Sequence, residues 1–339
     1  MPSSRRTIST MPRRRGDNGR VMRASLRAAT VAAGLLLVPA AVLAHGEAAP
    51  EPRFPDVLLA WRFEPLVSAA VAAVAIAWLV LRARVVRGHP GHPPSGWRDA
   101  AFLGGLAAIL LALVSPIEAY EGELFSVHMF QHMLLELVAA PLLLLGAPAT
   151  LALRAASPSV RRILLAILHS RAVGILSFPL LAWVLFAAVN WGWHFSSLYD
   201  QALETPWLHD VQHLTFLGAA LLFWWPVVGA DPARWRLPHP ARLFYLFLAM
   251  PQNSFLGVAL MSAPASLYPH YLTNGRTWGP PPAVDQQIGG TLMWVGGDIV
   301  FLTAMALVVA AWVRVEDRRT AREDAREDAG LSRRPSPPE

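Results

Sequence analysis

Val127-His128-Met129-Phe130-Gln131-His132-Met133-Leu134-Leu135-Glu136 is a polar strip, rich in metal-binding side chains, that leads into an apolar run ending at Leu145. Residues four apart lie on one face of a helix, about 6 Å apart along its axis, so the rings of His128 and His132 can reach a common point. His209 and His213 repeat the spacing in Trp207-Leu208-His209-Asp210-Val211-Gln212-His213, which opens a second apolar run. Whether the two pairs meet, and at which face of a membrane, depends on the rest of the chain.

The 339 residues are 54% hydrophobic and 15% charged. That composition is far from a soluble globular one and points to an all-α, polytopic transmembrane helix bundle. There is no cysteine, which excludes a disulfide framework, a thiolate zinc site and a thiol relay. All 29 basic residues are arginine and the formal charge is +6. They sit in short links and at the two ends, where they set membrane orientation, so no nucleic-acid partner is expected.

Residues 1–44 join an arginine-rich start to the apolar run Ala28 to Leu43 and a small residue, Ala44. The pattern is that of a signal peptide cleaved after Ala44, or else an uncleaved anchor helix. Cleavage would leave His45 as the N-terminal residue, whose amine and imidazole could chelate Cu(II). Residues 45–62 then form an extracytoplasmic N-terminal segment.

Apolar runs near the ~20 residues needed to span a bilayer fall at 63–82, 99–115, 124–145, 172–191, 208–228, 241–262 and 287–312. Arg82, Arg84, Arg87 and Arg98 lie in the first link, Arg154, Arg161, Arg162 and Arg171 in the third, and Arg234, Arg236 and Arg242 at the fifth. The second link, Pro116 to Glu123, and the fourth, Gly192 to Pro206, hold no basic residue, and the sixth holds only Arg276. The positive-inside rule makes the odd links cytoplasmic. About seven helices come after the signal, or eight if it is uncleaved, with the N-terminus outside and the C-terminus cytoplasmic. The transmembrane domain covers 63–313. The tail, 314–339, alternates acidic and basic residues and is expected to be a poorly ordered cytoplasmic segment.

With topology set by arginines alone, His128, His132, His209 and His213 fall in the first turns of helices entered from outside. His194 follows the fourth helix into the same outer link, and His270 and Asp285 lie in the link before the last helix. Polar groups near hydrocarbon pair with one another or bind something. Neutral imidazole suits zinc, copper, iron or nickel, and thioether sulfur suits Cu(I). Met293, near the outer end of the last helix, stays a candidate ligand, whereas Met129 and Met133 read first as packing. Glu136 continues the face of His128 and His132 one turn deeper, where it can orient His132, relay protons or be satisfied by another helix. Asp298 is apolar-flanked, with no partner evident from sequence.

Ser115-Pro116-Ile117, the His128 to Leu135 block, Ala140-Pro141-Leu142 and Gly146-Ala147-Pro148 together resemble the bacterial CtaG-type cytochrome c oxidase assembly factors. Asn190-Trp191-Gly192-Trp193-His194, Leu198-Tyr199, His209 through His213, Phe223-Trp224-Trp225-Pro226, and Asp285-Gln286-Gln287 through Met293-Trp294 look like later blocks of that family. The similarity spans roughly 57–313. It implies a multi-pass protein of the bacterial cell membrane that helps copper reach the catalytic subunit of the oxidase, with an extracytoplasmic copper donor as a second partner and copper as a transient cargo. It implicates His128, His132, His194, His209 and His213, with Asp285 near them. Glu136 departs from the apolar residue or methionine expected there.

Three functions remain open on sequence. A copper-handling assembly factor fits polar groups concentrated at one face. A copper or proton transporter would show them at successive depths, and here only Glu136 and Asp298 lie deeper. A haem protein could use two histidines on different helices. No nucleophile with a nearby base is apparent, so no enzymatic activity is expected.

Overall fold

The computed structural model describes residues 51–331, and among these the regular structure is helical throughout. The expected signal segment, its cleavage point and His45 lie outside the described residues. In chain order the helices are α1 (Pro65–Gly88), α2 (Gly96–Leu113), α3 (Pro116–Tyr120), α4 (Phe125–Met133), α5 (Ala140–Leu145), α6 (Pro148–Ala155), α7 (Pro158–Leu168), α8 (Arg171–Leu176), α9 (Pro179–His194), α10 (Leu198–Glu204), α11 (Pro206–Val228), α12 (His239–Met261), α13 (Pro269–Thr273), α14 (Pro282–Thr291) and α15 (Gly297–Leu331). A π turn, Leu134–Ala139, joins α4 to α5, and a second, Leu292–Gly296, joins α14 to α15.

Six helical stretches are long and apolar enough to cross a bilayer: Pro65–Gly88, Gly96–Tyr120, Phe125–Ala155, Pro206–Val228, His239–Met261 and Pro282–Arg326. The fourth expected span, 172–191, is divided by Ser177 and Phe178 before Pro179. A proline disfavours the helical conformation in the residue before it. The helix that resumes at Pro179, α9, has 16 residues and extends about 24 Å, below the usual spanning length. The protein is a multi-pass membrane protein with six candidate spans of full length among the described residues.

The stretch from α4 to α5 is the centre of the bundle. It packs on α2 along one side and on α11 along the other, with α14 against α4. Leu137, Ala140 and Leu144 meet Phe186 of α9, Phe223 and Trp224 of α11, and Phe301 of α15 in one apolar core. A second core fixes α1 and α2 around it, where Trp78 stacks on Phe102 at 3.8 Å and Arg82 pairs with Asp99. α12 crosses α14 at van der Waals distance because both supply glycine: a Cβ on Gly257 would lie 2.7 Å from the Gly290 carbonyl. Small residues permit such approach between membrane helices. α11 ends at Gly229, whose φ of 57° is the left-handed conformation that closes a helix.

The chain beyond 313 differs from expectation. It runs on as helix to Leu331, exposed as far as Arg326, where Glu and Arg fall at helical spacing and Arg319 pairs with Glu323 at 3.0 Å. Such i,i+4 pairs support a helix that has no packing of its own.

Candidate metal centre

The N-terminal turns of α4 and α11 and the C-terminal turn of α9 lie at one end of the bundle. The two histidine pairs meet there, as their spacing suggested. His128, His132 and His213 are buried and each offers a ligand atom within 4.8 Å of the others. The Nε2 atoms of His128 and His132 are 2.8 Å apart. Glu121, His128 and His209 form a second such group, which shares His128. The His209 and His213 rings lie 4.1 Å apart between centroids, tilted by 54°.

Hydrogen bonds determine which nitrogen of each ring carries its proton. The Tyr271 hydroxyl donates to the Glu121 backbone carbonyl at 3.1 Å, so its oxygen accepts from His128 Nδ1 at 3.2 Å. The Glu121 carboxylate lies 2.9 Å from the same nitrogen. Two acceptors on Nδ1 place the His128 proton there and leave the Nε2 lone pair facing His132. A carboxylate behind an imidazole in this way fixes the ring and strengthens it as a ligand. Burial alone would raise the Glu121 carboxyl, yet His209 and His128 beside it outweigh that and hold it down to about 2. Burial pushes the Tyr271 and Tyr199 hydroxyls far up, so both stay neutral donors.

His213 is held by Gln131. The Gln131 amide nitrogen donates to the Ala112 carbonyl at 2.9 Å and to Glu118 at 2.6 Å. Its oxygen therefore accepts from His213 Nε2 at 3.2 Å, which puts the His213 lone pair on Nδ1. His132 Nδ1 is buried without a hydrogen-bond partner, which costs free energy and leaves Nε2 as the atom that faces His128. Phe216 covers the ring at 4.3 Å.

His194 sits beside this group, 6.2 Å from His132 between ring centroids. Its Nδ1 donates to the Asn190 carbonyl at 2.7 Å, and its Nε2 lies 3.3 Å from the Met129 sulfur. Neither that nitrogen nor the thioether then brings a proton, so two lone pairs face one another. A soft cation would be bound by such a pair.

Asp285 and Met293 are not among the groups that converge with the histidines. Asp285 accepts from the Ser126 hydroxyl at 2.5 Å and the Ser126 amide at 3.4 Å. It serves the first turn of α4, whose own N-cap, Leu124, has no side-chain acceptor. Met293 is packed among Phe125, Met129, Tyr199 and Leu256. Glu136 does not reach His132; it accepts from the Asn190 amide at 3.3 Å. Asp298 has a partner after all, accepting from Ser254 at 2.9 Å. The residue that sequence reasoning missed is Glu121. The signal was present, since Glu118, Glu121 and Glu123 crowd a link noted only for its lack of arginine.

A family model described as cytochrome c oxidase caa3 assembly factor matches residues 72–315. The chain belongs to that family. The matched region runs from within α1 into α15 and contains every histidine of the centre. Uncharacterised proteins of Mycobacterium bovis and Mycobacterium tuberculosis are each 34% identical over 286 residues, which is 82% of this chain and 43% of theirs. One from Mycobacterium leprae is 32% identical over 277 residues, 79% of this chain and 42% of its own. This chain thus spans less than half the length of the curated relatives it matches. No solved structure matches it.

Proposed function

We propose that this assembly factor handles copper during maturation of cytochrome c oxidase. It would hold the ion transiently on His128, His132 and His213 at the extracytoplasmic face of the bacterial cell membrane and release it to the catalytic subunit. An extracytoplasmic donor would supply the ion. The orientation rests on the arginine distribution: seven spans counting α9, N-terminus outside, C-terminus cytoplasmic.

One observation carries the reading, the convergence of three buried imidazoles from two helices within 4.8 Å. Nitrogen ligands about 2.0–2.1 Å from a metal in tetrahedral array stand roughly 3.3 Å from one another. The 2.8 Å between the His128 and His132 nitrogens fits one shared proton, and a small outward movement fits an ion in its place. The histidine and methionine donors suit Cu(I) better than a hard cation.

Features of the same region weigh against the alternatives. Below Glu136 the bundle is filled by Phe186, Phe223 and Trp224, with no polar ladder for a transported ion among the described residues. A haem ligated from different helices would need open space beside each ring, whereas Phe216 packs against His132 at 4.3 Å and His213 lies 5.5 Å from it between centroids.

The test is Cu(I) content of the detergent-purified protein, comparing wild type with the His128→Ala/His132→Ala and His209→Ala/His213→Ala pairs. Stoichiometric copper lost in both pairs, with folding intact, is the expected result. Wild-type protein without copper above background refutes the assignment.

A further inference from the structure

Building on the copper-handling reading, we infer that the ion passes through two positions on opposite sides of the His128 ring. The two ligand groups share that residue but not the same atom of it. Glu121 lies against Nδ1 at 2.9 Å, whereas His132 lies against Nε2 at 2.8 Å. His209 is on the Glu121 side, 3.7 Å from the carboxylate oxygen. One position is therefore made of Glu121, His128 Nδ1 and His209. The other is made of His128 Nε2, His132 and His213. Metal–nitrogen bonds of about 2.0 Å on either side of one imidazole put the two roughly 6 Å apart.

Exposure gives the direction. The side chains of Glu121 and His209 are 10% and 12% exposed, whereas that of His128 is fully buried. The first position is nearer solvent and includes a carboxylate oxygen, which tolerates a partly hydrated ion. The second is all imidazole and adjoins the His194 and Met129 pair, which favours Cu(I). A neutral imidazole has a single lone pair, so His128 serves one position at a time. The ion crossing the ring exchanges which nitrogen carries the proton. The arrangement is a loading position and a holding position for one cargo ion. It explains why His209, outside the buried triad, belongs to the site.

The experiment uses the full chain in lipid nanodiscs, with Cu(I) as probe and a chromogenic Cu(I) chelator as competitor. Equilibrium affinity is measured by competition, and loading and release by stopped flow. His209→Ala is expected to keep one copper with affinity within about threefold of wild type, while loading and release slow by about tenfold. His213→Ala is expected to lower the affinity itself by at least about tenfold. His209→Gln, with thermal melts of all variants, separates loss of a ligand from misfolding. Equal loss of affinity in the His209 and His213 variants means one four-histidine site and overturns the inference, as do two coppers per chain at saturation or unchanged rates in both His209 variants. Those results leave copper handling standing, whereas wild-type protein that takes up no Cu(I) removes both.

Discussion

Replacing Gln131 with leucine removes a side chain that joins α2, α3 and α11 beneath the histidines. Gln131 is fully buried. Its amide donates to Ala112 and Glu118, and its oxygen accepts from His213. Leucine keeps the volume and makes none of these bonds. At roughly 0.5–1.5 kcal/mol for each lost bond, and more where Glu118 is left unsatisfied, the cost is about 2–5 kcal/mol. That is measurable as a lower unfolding free energy in mixed micelles. The second effect falls on the metal. Without its acceptor the His213 ring is free to turn, and loss of such an orienting partner typically weakens metal affinity by about 10–100-fold. Gln131→Glu separates the two, since it keeps an acceptor for His213 while losing the donor to Ala112 and Glu118. It should be destabilised yet retain more copper affinity than the leucine variant. A leucine variant that unfolds and binds Cu(I) as wild type does would refute the reasoning.

Three other outcomes are expected. Gly257→Ala places a methyl group against the Gly290 carbonyl and the Trp294 backbone nitrogen, which no rotamer can relieve, and should lower stability by about 1–3 kcal/mol in the same micelle assay. Asp231→Ala removes the acceptor for the Ala149 and Thr150 amides at the start of α6, a loss of about 1 kcal/mol that should appear as faster hydrogen exchange at those amides. Asp285→Asn should leave Cu(I) stoichiometry and affinity unchanged by competition titration, because the Asp285 carboxylate is engaged by Ser126; loss of copper would place it in the ligand set.

The spans and the histidine pairs were legible in the sequence because both rest on simple periodicities. Apolar length reports the bilayer, arginine reports the links, and a spacing of four places two rings on one helical face. Glu121 was not legible as a partner of His128, since it lies in a link whose path back over α4 is set by Tyr271 and His270, about 150 residues away. Asp285 was placed near the histidine-bearing helix by the sequence, but its tie to the Ser126 hydroxyl and amide at the start of α4 was not legible, because it spans 159 residues. Gln131 lay inside the deciding stretch and carried no signal of its own, because a buried glutamine declares its role only through the three elements it joins. The 16-residue length of α9 was hidden by the apolar residues that precede Pro179.

The π turn at Leu134–Ala139 makes the helix below the histidines a screw with one residue added to its thread. Each residue turns an α-helix by about 100°, and the wider turn takes up the added residue, so the metal-binding face above and the packing face of Ala140 and Leu144 below keep their phase. Deleting Val138 would let the turn relax to an ordinary α-helix without rotating one half against the other. Forcing the turn into α geometry with Val138 still present would put the two halves out of phase by that angle, and the chain could then keep its histidines in place or its core in place, but not both. The turn is thus slack in the thread, and a deletion that would shorten a link is here taken up without a change of face.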